Sequence, residues 1–96
     1  MRGILVFDQP PITIDCTIRD LTPSGARLAV APRVAVPRQG WLINIRDGLA
    51  HEVAIVWRTG GLVGVNFADT VDLKPATPGP HRHLRDLWLA CGGAAG

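Results

Sequence analysis

The segment Asp20-Leu21-Thr22-Pro23-Ser24-Gly25-Ala26-Arg27-Leu28 gathers the residue types best able to do chemistry in this chain. It delivers an acid, a hydroxyl and a glycine into one tight turn. Gly25 permits a positive φ or the close approach of a ligand. Thr22 presents a hydroxyl at the turn. The Asp20 carboxylate can accept from the N1–H and N2–H₂ edge of a guanine. The same residues also suit an Asx-type turn, in which Asp20 and Thr22 bond backbone amides. The residues by themselves leave both readings open.

Other reactive residues are dispersed. The histidines are His51, His81 and His83. His81 and His83 stand two apart at a helix start and point to different faces, without a third ligand, so they read as solvated and no metal is expected. Ser24 is the only serine and has no patterned His or Asp to activate it. Gly60-Gly61-Leu62-Val63-Gly64 lacks the Lys-Ser/Thr of a phosphate loop. Cys16 and Cys91 are far apart and read as buried, reduced thiols. Neither an enzyme nor a cofactor is expected.

Positioning falls to short strands. Ile12, Ile14, Cys16 and Ile18 alternate with polar residues, and Ala26, Leu28 and Val30 repeat the pattern after the turn. Trp41, Ile43 and Ile45 form a further alternation. Val53, Ile55 and Trp57, then Val63, Val65 and Phe67, form two more. Gly3 to Phe7 adds a first strand. Asp47-Gly48 and Gly60-Gly61 are hairpin signals. Phe67, Trp41 and also Trp57 are assigned to the core. About six strands predict an all-β fold, a small antiparallel barrel, because closure removes exposed edges. Leu84, Leu87, Trp88 and Cys91 fall on one face of a C-terminal helix, with Pro80 in its first turn and Gly92-Gly93 ending it. The expected organisation is a barrel over 1–73, a Pro-rich linker over 74–80, an amphipathic helix over 81–91 and a mobile tail over 92–96.

Composition bounds the function. At 96 residues the chain is one domain. Its net charge of +2 is too weak for a generic duplex binder, so no DNA or RNA partner is expected. The basic residues are nearly all Arg, whose planar fork suits phosphates and guanine edges. No apolar run approaches the ~20 residues needed to span a bilayer, and the N-terminal apolar run is too short for a signal peptide. The expectation is a cytoplasmic protein without a membrane partner.

The run Cys16 to Leu28 resembles the core motif of PilZ domains, whose signature is [Asp/Asn]-x-Ser-x-x-Gly with an upstream Arg-x-x-x-Arg. Ala54-Ile55-Val56-Trp57-Arg58 and Val63-Gly64-Val65-Asn66-Phe67 resemble that family's last two strands. The resemblance spans about residues 2–68. It implies a six-stranded, Greek-key-like antiparallel barrel with a C-terminal α-helix, and binding of the bacterial second messenger cyclic di-GMP. It assigns Arg2, Asp20, Thr22 and Gly25 to the ligand site. Thr22 stands in place of Ser, and the first arginine of the upstream pair would precede Met1. Two expectations follow. The chain is a receptor module that signals to a protein partner, with its start lying upstream or a surrogate among Arg19, Arg27 and Arg58. Alternatively, it is a degenerate interaction module that does not bind the nucleotide.

Overall fold

The computed structural model describes residues 1–75 and 79–93. Part of the expected linker and most of the expected tail therefore lie outside the described residues. Six strands run in order: β1 (Arg2–Asp8), β2 (Pro11–Thr22), β3 (Gly25–Ala29), β4 (Gln39–Asn44), β5 (Leu49–Thr59) and β6 (Leu62–Asp72). One helix, α1 (Arg82–Ala90), follows. The strands close into an antiparallel barrel with neighbour order β1-β2-β3-β6-β5-β4. Three hairpin-linked strands, β4 to β6, lie beside β3, which reaches β4 by the long crossing loop. That is the Greek-key arrangement.

The alternation in β2 does what period 2 requires. Ile14, Cys16 and Ile18 are buried, while Thr13, Asp15 and Thr17 are exposed. The buried set joins Leu5, Phe7, Leu28, Leu42, Val53, Val63 and Val65 in the barrel interior. Strand β1 differs, because Gly3 to Phe7 are all buried. Leu5 and Phe7 face the interior, while Ile4 and Val6 belong to a second cluster with Ile43, Ala50, Leu73, Leu84 and Trp88. This second core lies between the outer sheet face and α1. An unbroken apolar run is what a strand covered on both faces needs.

Helix α1 begins one residue later than expected, with His81 as its N-cap and Cys91 as its C-cap. Pro80 precedes the cap rather than occupying the first turn. Trp88 is the anchor: it is almost fully buried, and its indole N–H donates to the Ile45 carbonyl at 2.9 Å. Among the described residues, no helix is long and apolar enough to cross a membrane.

Trp57 corrects the sequence reading. It is exposed rather than core. Pairing slips between Ile55 and Trp57, and that irregularity puts Trp57 out of phase with Val53 and Ile55. Its ring covers Gly64 on the neighbouring strand, where an added Cβ would stand 2.1 Å from the indole nitrogen.

Candidate functional site

The turn between β2 and β3 sets the geometry. Thr22 pairs with Gly25, so the hairpin register places Leu21 opposite Ala26 and Asp20 opposite Arg27. The Arg27 guanidinium pairs with the Asp20 carboxylate, and both remain more than half exposed. The Thr22 hydroxyl accepts from the Gly25 N–H and donates to the Gly25 carbonyl, both at 3.2 Å. This is the local closure that a hydroxyl in such a turn favours. Ser24 lies 3.4 Å from the Thr22 hydroxyl, and its carbonyl accepts from the Phe67 N–H at 2.9 Å. That bond ties the turn to β6.

Gly25 serves the fold first. A Cβ there would meet the Val65 carbonyl at 2.4 Å. The close approach is therefore between β3 and β6 backbones, and the residue does not adopt a positive φ. Asp20, Thr22, Gly25 and Arg27, together with Asn66, line one shallow hollow of about 380 Å³ on the outer surface.

Arg2 lines a different hollow, of about 340 Å³, with Asp15, Thr17 and Ala29. Its guanidinium donates to the Cys91 carbonyl at 3.1 Å and lies 4.0 Å from Asp15. A cation at that position favours the helix C-terminus. Thr17, opposite Arg2, stands three residues before Asp20. At ~3.3 Å per residue the two hollows are about 10 Å apart along β2. The structure thus joins three of the four expected residues on the β2–β3 pair and sets Arg2 apart from them on β1, at the other edge of β2.

The three surrogate arginines separate clearly. Arg58 donates to the Pro32 carbonyl at 3.0 Å and also bonds the Val34 and Ala31 carbonyls, so it pins the crossing loop. Arg19 is exposed where the β2–β3 pairing slips. Arg27 alone lies in the hollow.

Sequence reasoning also missed a row across the outer surface. Asp20 faces Arg27, Arg27 faces Gly64, and Gly64 faces Trp57. The first pairing was available by counting out from the hairpin turn. The other two depend on long-range pairing of β3 and β5 with β6, which no local pattern encodes.

Two further groups bear on reactivity. Burial, with the Asp15 charge beside it, pushes the Cys16 thiol up to about 12, which leaves it protonated and inert. His51 is buried, stacks on Phe67 with ring centroids 4.1 Å apart, and bonds the Thr70 hydroxyl at 2.9 Å. Burial lowers its pKa, and the Asp47 charge partly opposes that. Among the described residues, no group of three or more His, Cys, Asp and Glu is placed to hold a metal ion.

Comparison with known proteins finds no matching family model, no matching curated protein and no matching solved structure.

Proposed function

We propose that this chain is a bacterial, cytoplasmic second-messenger receptor module of the PilZ type, which binds cyclic di-GMP and signals to a protein partner. The observation that carries the reading is the cross-strand row Asp20–Arg27–Gly64–Trp57 beside the Thr22–Gly25 turn, in which Asp20, Arg27 and Trp57 are exposed. Its three exposed members each suit one part of a guanine nucleotide. The Arg27 fork matches a phosphate or the O6/N7 edge of guanine. The Asp20 carboxylate accepts from the opposite edge of the base. The Trp57 indole offers an aromatic surface for stacking. Under this reading Arg2, across from Thr17 on β1, contributes the contact to a second phosphate.

A second reading has its own support. Arg27 and Asp20 already neutralise one another, Thr22 is closed on Gly25, and Arg2 is engaged by Cys91. A barrel with those groups satisfied suits a degenerate module that acts by protein contact without the nucleotide.

Calorimetric titration with cyclic di-GMP separates the two. Under the receptor reading the wild-type chain binds, and Asp20→Ala and Arg27→Ala abolish binding. Arg2→Ala then weakens it by roughly 10- to 150-fold, the worth of a charge-assisted arginine–phosphate contact. No heat with the wild-type chain overturns the receptor reading and leaves the interaction module.

A further inference from the structure

A second cavity, about 530 Å³, lies away from the row just described and shares no residue with that hollow. It runs over the outer face where β4 and β5 pass the end of β1. Asp8, Gln9, Gln39, Trp41 and Glu52 supply its polar and aromatic lining. Trp41 and Glu52 are directly opposed across β4 and β5, which sets the carboxylate beside the indole. His81 meets the same indole edge-on at 5.2 Å, so the start of α1 braces the ring. Gly40 forms part of the wall, because any side chain there would strike Phe7 and the Val6 carbonyl.

The electrostatics of this cavity oppose those of the chain. The protein is net positive and arginine-rich, yet no Lys or Arg lines this space. Ion pairs among the described residues involve Asp15, Asp20, Asp47 and Asp72. Asp8 and Glu52 are exposed and belong to none of them. The cavity therefore combines two carboxylates without a cation, two side-chain amides and an aromatic wall.

We propose that this cavity receives an arginine side chain from a protein partner. The guanidinium pairs with Asp8 and Glu52, and its plane lies against Trp41. A planar cation with five donors satisfies carboxylates, amide oxygens and an indole face together, which a compact ammonium does not. The volume is within the usual range of ligand clefts and leaves space for the backbone beside the arginine. This inference gives the protein partner a chemistry and does not depend on nucleotide binding.

The test is an NMR titration with acetyl-Gly-Arg-Gly-amide, following the Trp41 indole N–H and the Glu52 amide. Saturable shifts with a Kd on the order of 1 mM are expected. The neutral citrulline peptide should produce none, and the lysine peptide should bind at least several-fold more weakly. The double variant Asp8→Asn, Glu52→Gln should weaken binding by about tenfold or more, while Arg27→Ala leaves it unchanged. Unfolding midpoints of both variants establish that the fold is kept. Absence of saturable shifts, equal response to the citrulline or lysine peptide, or unchanged affinity in the double variant would overturn the proposal. Each of those results is independent of whether cyclic di-GMP binds.

Discussion

Asp20 and Arg27 face each other across the β2–β3 hairpin as an exposed ion pair, two residues outward from the Thr22–Gly25 closing pair. Their exposure makes the pair weak as a structural element, since surface ion pairs contribute about 0–1 kcal/mol. Asp20→Ala and Arg27→Ala should each shift the urea midpoint only slightly. Under the receptor reading both eliminate the calorimetric signal for cyclic di-GMP. A large stability loss in either variant would show that the pair serves the fold instead.

Gly25 should respond in the opposite way. Alanine there drives a Cβ into the Val65 carbonyl, a backbone atom that cannot rotate aside. Gly25→Ala should lose about 1–3 kcal/mol or more in chemical denaturation, with no ligand present. An unchanged midpoint would mean that β3 and β6 separate readily.

The helix is held by Trp88 more than by its ends. Trp88→Ala removes a fully buried ring and the bond to Ile45. The expected loss is about 3–5 kcal/mol, read from urea unfolding. Arg2→Ala, which removes one exposed contact to the helix terminus, should lose about 0.3–1 kcal/mol. Similar losses in the two variants would contradict the view that the second core anchors α1.

His51 makes stability depend on pH with a definite sign. Its folded pKa lies below the ordinary histidine value of 6.5, chiefly because burial disfavours the charged ring. Between those two values the unfolded chain binds the proton and the folded chain does not, so stability rises with pH. The contribution is fully present above the unfolded pKa and is lost as pH falls towards the folded one. From about pH 7.5 to about pH 5.5 the wild-type chain should lose more stability than His51→Asn, which cannot titrate. Equal losses would assign the effect to other groups.

The two thiols should differ in labelling. Cys16 is buried with its pKa pushed up, whereas Cys91 at the helix C-cap is half-buried. An aromatic disulfide reagent should label Cys91 in the native chain and Cys16 only on unfolding. Rapid labelling of both would show that β1 and β2 open locally.

The sequence by itself determined the strand count, the hairpins and the C-terminal helix. Those features are local: alternation in Ile12 to Ile18, Asp47-Gly48 and Gly60-Gly61 turns, and the Leu84-Leu87-Trp88 stripe all act within a few residues. Its turn also brought Asp20, Thr22 and Gly25 together, since a hairpin register follows from its closing pair. Tertiary structure decided the rest. Trp57 alternates like a core residue, but an irregularity in pairing with β6 turns it outward onto Gly64. Trp41, Ile43 and Ile45 share an apolar phase that faces α1, while Leu42 enters the barrel. Period 2 identifies two faces but does not say which is inside when both are covered. The meeting of Asp8 with the Trp41–Glu52 pair in one cavity, like the engagement of Arg2 by Cys91, joins residues dozens of positions apart. Such contacts exist only because barrel closure brings distant strands into register, and that information resides in no local stretch of the chain.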